Sequence, residues 1–225
     1  MKDRVGALVH AEQERYLERL LPPRDAVVAE MERQAAAEGI PISDPEVGRL
    51  LAVLARATRA RRIVEVGCAI GYGALHLARG APEAQVVTID ADETRLERAR
   101  AFLDEAGVAE RVELVHGSAL EVLARLDGTF DLAYVDAAKT EYRHYLDLLL
   151  PKMSQGGTLV FDNLLWKGRV AADGEEEDEA TAAIRAFNPY LMMHPQMSAV
   201  ILPLGDGVGL ATKIKPTILE QGGPW

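Results

Sequence analysis

The stretch Ile63–Gly73 constrains this chain more than any other. It reads Ile-Val-Glu-Val-Gly-Cys-Ala-Ile-Gly-Tyr-Gly. Ile63, Val64 and Val66 form a short apolar, β-branched run, the pattern of a buried parallel strand. Gly67, Gly71 and Gly73 break that run, and Ala74-Leu75-His76-Leu77-Ala78 opens a helical pattern. Strand, glycine-rich turn and helix make a cradle for a nucleotide-type ligand. Glycines let the backbone approach a ligand closely, and a helix N-terminus presents free N–H groups. The spacing is neither the G-x-G-x-x-G of a dinucleotide turn nor a P-loop ending in Gly-Lys-Ser/Thr. It is Glu65-x-Gly67-x-x-x-Gly71-x-Gly73.

What lies around this turn bounds the function. The chain has 225 residues, 48% of them hydrophobic, enough for one α/β domain with a full core. Its formal net charge of -10 argues against a nucleic-acid or anionic-membrane partner, which would want a basic face. No apolar run approaches the roughly 20 residues of a membrane helix. Met1-Lys2-Asp3-Arg4 lacks the apolar core of a signal peptide. The one cysteine, Cys68, sits in the glycine-rich turn as a small filler. A reducing cytoplasm is the expected compartment.

Before the turn, Ala7–Leu21 and Asp25–Glu38 are expected as amphipathic helices separated by Pro22-Pro23, with Gly39 ending the second. Ser43 or Asp44 caps the next helix, which has Pro45 at its first position and runs to Thr58. These helices either cover a site, form a subunit contact or simply pack on the sheet. After the turn, Gln85–Ile89 is a second strand ending at Asp90. That is about 20 residues beyond the glycines, where a carboxylate binds ribose hydroxyls. Asp92 can cap the following helix, which leaves Asp90 for the ligand. A third strand, Arg111–Val115, exits through His116-Gly117-Ser118-Ala119. This turn is placed to lie beside a bound base, and Ser118 either bonds that base or caps a helix. Phe130–Val135 and Thr158–Phe161 are the fourth and fifth strands, ending at Asp136 and at Asp162-Asn163.

In an open α/β sheet, ligands bind outside the carboxyl ends of the strands near the switch point. Asp136, Asp162 and Asn163 would converge there as an all-oxygen set suited to Mg²⁺ or a similar hard cation. Taken singly, each aspartate reads as a helix cap; together with Asn163 and Lys139 they read as a metal site.

The chain resembles the cation-dependent O-methyltransferases of the caffeoyl-coenzyme A and catechol type, from Asp44 to about Lys213. The matching motifs are the Glu65–Gly73 turn, Asp136-Ala-Ala-Lys139 with Tyr142, and Asp162-Asn163-Leu-Leu-Trp166-Lys-Gly168. The resemblance implies a Rossmann-like class I methyltransferase, an α/β fold with a seven-stranded, mostly parallel sheet and helices on both faces. Residues 1–60 would be extra N-terminal helices, 61–214 the core and 215–225 a tail, in one domain. Ser198–Pro203 and Gly207–Ile214 would supply a final antiparallel hairpin.

For the site, the resemblance implies S-adenosylmethionine on Glu65, Gly67, Gly71, Gly73, Asp90, Gly117, Ser118, Ala119 and Asp136. It implies a metal on Asp136, Asp162 and Asn163, Lys139 as general base, and Trp166 as a wall of the acceptor pocket. The implied reaction is methylation of an oxygen of a vicinal dihydroxy aromatic, a catechol-type small molecule, by a homodimer. Relatives often carry an aromatic where Ala69 stands, serine where Gly73 stands and an acidic or aromatic residue where Ala138 stands. The serine helps to bind the methionine carboxylate, so backbone N–H groups or water must substitute here.

A non-catalytic S-adenosylmethionine-binding or partner-regulating protein is the alternative from another class. A nicotinamide oxidoreductase is opposed by the glycine spacing. The acidic run Asp173–Glu179 is expected as a solvated loop and helix start. Phe187-Asn188-Pro189-Tyr190 lacks one proline of the Asn-Pro-Pro-Tyr motif of nucleic-acid amino-methyltransferases and follows the wrong strand, so it is read as a helix terminus. Pro216–Trp225 has no periodicity and reads as a surface extension.

Overall fold

A computed structural model describes residues 11–172 and 178–215. The first residues of the expected opening helix, most of the acidic run and the tail lie outside the described residues. Helix α1 spans Ala11–Leu20. Helix α2, Ala26–Glu38, starts where the Asp25 side chain accepts the Val28 N–H and stops at Gly39 in the left-handed region. Its buried face is Val27, Val28, Met31 and Ala35. Helix α3, Pro45–Ala57, has Asp44 at its N-cap and buries Val47, Leu51 and Ala55.

The remaining elements alternate as the sequence periodicity requires. They are β1 (Arg62–Val66), α4 (Tyr72–Gly80), β2 (Gln85–Asp90), α5 (Glu93–Glu105), β3 (Val112–His116), α6 (Ala119–Arg125), β4 (Phe130–Val135), α7 (Tyr142–Leu149), β5 (Met153–Phe161), α8 (Glu179–Met192), β6 (Met197–Leu202) and β7 (Val208–Lys213). The seven strands form one sheet in the order β3-β2-β1-β4-β5-β7-β6. The first five are parallel, while β7 runs antiparallel to both β5 and β6. The expected hairpin is therefore present, with its second strand inserted against β5.

Strand alternation sends side chains to two cores. Ile63, Leu132, Tyr134 and Val160 join α2, α3, α4 and α5 on one face. Val64, Val66, Ala133, Val135, Leu159 and Phe161 join α6, α7 and α8 on the other. The order reverses between β1 and β4, so their carboxyl ends open the crevice in which a doubly wound fold binds ligands.

Most boundaries fall within a residue or so of the sequence reading, and β5 and α8 depart further. Strand β5 begins at Met153, ahead of the glycine pair: Phe130 pairs with Met153 but Leu132 with Thr158, so the residues between bulge out. Helix α8 runs through Pro189 to Met192, past the expected terminus. Phe187 and Leu191 are buried on either side of the proline, and their packing holds the last turn against the lost hydrogen bond.

Candidate active site

The cleft at the switch point has a volume of about 860 Å³. It is lined by Glu65, Gly67, Gly73, Asp90, Ser118, Ala119, Asp136, Lys139, Asp162, Asn163 and Trp166, all of them singled out by the sequence. Gly71 and Gly117 shape it from behind. Gly71 is the N-cap of α4, and the Gly117 N–H donates to the Asp90 carbonyl. A second hollow of about 770 Å³, between residues 21–25, α3 and α4, holds none of the candidates.

At the ends of β1 and β2 the groups on offer come largely from backbone. Gly67 has φ 96, and a Cβ there would stand 2.1 Å from the Asp136 carbonyl oxygen. Only glycine allows the exits of β1 and β4 to abut so closely. A Cβ on Gly73 would stand 2.1 Å from Glu65 Oε1. The Glu65 carboxyl thus occupies the space that a side chain at 73 would need, which gives the departure from serine a physical basis.

Glu65 is fully buried. Thr88 donates its hydroxyl to Oε2, while Oε1 has no partner. Burial pushes its pKa up to about 8, with the charges of Asp136 and Asp90 adding to the effect and the Thr88 bond opposing it. Asp90 is satisfied: Ala69 N–H donates to Oδ2 at 2.7 Å and Asp92 N–H to Oδ1 at 3.0 Å. Asp92 does cap α5, accepting the Arg95 N–H. Asp90 therefore has a second duty that the sequence did not reveal, tying the glycine-rich turn to β2. Each of its oxygens keeps a lone pair for a hydroxyl donor. Ser118 is the N-cap residue of α6 but makes no capping bond with its side chain, so its hydroxyl is not committed to that role. Cys68 is buried, and burial holds its thiol well above its ordinary pKa, as suits a filler.

At the ends of β4 and β5 the groups are side chains. Lys139 lies in a 3₁₀ turn after β4. Its Nζ donates to Asp136 Oδ1 and to Tyr142 Oη, each at 2.7 Å. Tyr142 in turn donates to the Asp162 carbonyl at 3.0 Å. Glu141, in the same turn, accepts from the Tyr145 hydroxyl. Asp162 is 2% exposed. Its Oδ1 accepts the Asn163 N–H and its Oδ2 accepts the Tyr134 hydroxyl, both at 2.8 Å. Burial pushes the Asp162 pKa up to about 6, and the neighbouring Asp136 charge pushes the same way.

Two neighbouring carboxylates, one of them buried, with an asparagine beside them, fit a hard divalent cation. Among the described residues no group of three or more His, Cys, Asp or Glu could hold a metal ion. A site here rests on two carboxylates and an amide.

The wall of the cleft after β5 is a strained loop. Asn163, Trp166 and Lys167 all have positive φ, at 60°, 46° and 53°. The loop is held by the β6–β7 turn: Leu164 N–H donates to the Gly207 carbonyl, and Leu165 N–H to that of Asp206. The Lys167 N–H donates to Asp206 Oδ1. Trp166 Nε1 is buried without a partner.

Sequence reasoning missed Ser43 and Tyr134 as parts of the cleft. Tyr134 is 1% exposed, and its hydroxyl lies 2.7 Å from Ser43 Oγ. The signal was available. Tyr134 shares a strand face with Asp136, and a buried tyrosine hydroxyl requires a partner.

Comparison with known proteins agrees with this geometry. Residues 24–214 match the family described as O-methyltransferase. A catechol O-methyltransferase of Mycobacterium tuberculosis is 38% identical over 157 residues, 69% of this chain and 70% of that one. A caffeoyl-CoA O-methyltransferase of Populus kitakamiensis is 33% identical over 178 residues, 74% of this chain and 76% of that one. The crystal structure of the O-methyltransferase TomG of Streptomyces achromogenes, involved in tomaymycin synthesis and solved in complex with SAM, superposes with a TM-score of 0.81 at 32% identity. That match covers 92% of this chain and 100% of TomG.

Proposed function

The chain belongs to the O-methyltransferase family, and from that premise we propose that it moves a methyl group from S-adenosylmethionine to a phenolic oxygen of a vicinal dihydroxy aromatic, with a divalent cation at Asp136, Asp162 and Asn163. One observation carries the reading. The oxygen donors at the ends of β4 and β5 share a cleft with the glycine-rich turn, with Lys139 between them and the Trp166 wall.

The cofactor supplies an already electrophilic methyl carbon, and a bound cation supplies positive charge that makes a chelated phenol more acidic. Everything else falls to the chain. Asp90 has lone pairs for the ribose hydroxyls. Glu65 Oε1, buried and without a partner, has capacity for the ammonium of the methionine part. The helix N-terminus at Gly71 offers N–H groups to its carboxylate. Lys139, held by Asp136 and Tyr142 at the edge of the cleft, is the general base and as the free amine would take the phenolic proton. The methyl carbon passes to oxygen as the carbon–sulfur bond breaks, leaving the thioether S-adenosylhomocysteine. Holding donor and acceptor in line supplies the proximity term. No feature of the cleft favours the non-catalytic alternative.

The described residues form one sheet with its covering helices, which supports reading the chain as a single methyltransferase domain. Tyr16, Leu17 and Leu20 are exposed on α1, and this apolar stripe supports a homodimer contact. No helix among the described residues is long and apolar enough to cross a membrane. The buried, unpaired Cys68 supports a cytoplasmic protein.

The test is a panel of catechols assayed with S-adenosylmethionine after chelation by EDTA, with and without added Mg²⁺. Turnover is expected only with the cation. Full activity in chelator, with metal absence verified by elemental analysis, would remove the metal from the mechanism.

A further inference from the structure

We propose that Tyr134 and Ser43 are positioning residues for Asp162: a directed chain of two hydrogen bonds, from Ser43 Oγ to Tyr134 Oη to Asp162 Oδ2, presets the buried carboxylate as a cation ligand. The proposal rests on the reading of Asp162 as a metal ligand given above.

The direction of the chain follows from proton count. A phenol has one proton, and an ionised carboxylate accepts only. The 2.8 Å contact to Asp162 Oδ2 therefore uses the Tyr134 proton. The 2.7 Å contact between Ser43 and Tyr134 must then use the serine proton. Both donors are buried, where aligned hydrogen bonds polarise one another and water does not compete.

The Asn163 N–H fixes the other carboxylate oxygen at 2.8 Å. With both oxygens tied, the rotamer of Asp162 is set before any ligand arrives. Each oxygen still has lone-pair capacity for a cation. The arrangement joins three separate places: the end of β5, the interior of β4 and the segment ahead of α3. The glycine at 73 leaves the ring its place: a Cβ there would stand 3.2 Å from Tyr134 Cε1.

A tyrosine that merely fills the core would affect stability and nothing else. A positioning tyrosine sets cation affinity, and the two are separable. Tyr134→Phe keeps the ring and removes both bonds. In the full chain loaded with S-adenosylmethionine, calorimetric titration with Mg²⁺ and paramagnetic titration with Mn²⁺ should show roughly 10-fold weaker cation binding, the lower end for loss of an outer-shell partner. Affinity for S-adenosylmethionine should be unchanged. The Mg²⁺ concentration for half-maximal rate should rise more than kcat falls. Ser43→Ala, which spares the core ring, should weaken cation binding in the same direction by less. It should add nothing in the Tyr134→Phe background, because Ser43 acts only through Tyr134.

Wild-type cation affinity in Tyr134→Phe, alongside loss of affinity in Asp136→Ala, would overturn this proposal and leave the metal site standing. So would strictly additive effects of the two variants. A wild-type protein that binds neither cation would overturn the metal reading and this proposal with it.

Discussion

The two halves of the cleft hold their charged groups in opposite ways. At the ends of β1 and β2, backbone N–H groups fix Asp90, and Glu65 keeps one oxygen buried without a partner. At the ends of β4 and β5, each Asp162 side-chain oxygen is already met, and Asp136 is met by Lys139. The first half stores unmet hydrogen-bonding capacity that a ligand can fill. The second is satisfied in advance, so its carboxylates are held in place before any ligand arrives. Substitutions in the first half should therefore act on cofactor affinity and on the pH dependence of stability, and those in the second on cation binding and turnover.

The harshest way to break this division is at the point where the halves touch. Gly67→Ala would put a methyl group 2.1 Å from the Asp136 carbonyl, at a backbone angle of φ 96. We expect a loss of about 4 kcal/mol or more in chemical denaturation, or no folded protein at all. A variant within about 1 kcal/mol of wild type would show that the strand exits are not rigidly abutted.

Glu65→Gln sharpens the contrast through pH. The Glu65 pKa is raised from 4.5 to about 8 in the folded protein, chiefly by burial. Between those values the folded state holds a proton that the unfolded state has released. Wild-type stability should therefore fall as pH rises through this window, by roughly a few kcal/mol. The glutamine variant should lack that component, so its stability relative to wild type should rise from pH 4.5 towards pH 8. Parallel profiles for the two proteins would mean that the carboxyl ionises at its ordinary pKa.

Lys139→Ala tests the second half. Affinities for S-adenosylmethionine and the cation should hold while turnover of a catechol drops roughly 10²-fold, the low end for a general base. The loss should shrink for acceptors with more acidic hydroxyls. A near wild-type rate with a simple catechol would exclude Lys139 as the base.

Asp90→Ala has the smallest expected effect, roughly 10-fold weaker S-adenosylmethionine binding. A modest fall in melting temperature should accompany it, because the Ala69 and Asp92 N–H groups lose their acceptor. Cation affinity should not move. Unchanged cofactor affinity by calorimetry would count against the ribose assignment.

The chain announced the first half more fully than the second. Glu65, the three glycines and Asp90 are local in sequence, and their spacing dictates a strand, a turn and a second strand end. Asp136, Asp162 and Asn163 were legible as strand-terminal polar residues, because the register of a parallel sheet brings such ends together. Tyr134 and Ser43 were not read as a pair, since the contact spans 91 positions and nothing in the spacing ties a hydroxyl ahead of α3 to β4. Asp90 was read as a ligand group alone because its bond to Ala69 depends on the left-handed conformation of that alanine, which local propensity does not suggest. The extra turn of α8 was hidden for a related reason: tertiary burial of Leu191 overrides the usual behaviour of Pro189.

The anchoring of the Trp166 loop by Asp206 and Gly207 has a consequence for biosynthesis. Translation delivers Glu65, Asp90, Asp136 and Asp162 before it delivers the residues that hold the Trp166 loop. A nascent chain that has emerged only as far as β6 has no acceptors for the Leu164, Leu165 and Lys167 N–H groups, and its β5 edge still lacks β7. At roughly 5–20 residues per second, the ribosome needs a few seconds to pass from Trp166 to Gly207. Emergence of the last hairpin both closes the sheet and supplies the Trp166 loop with its partners.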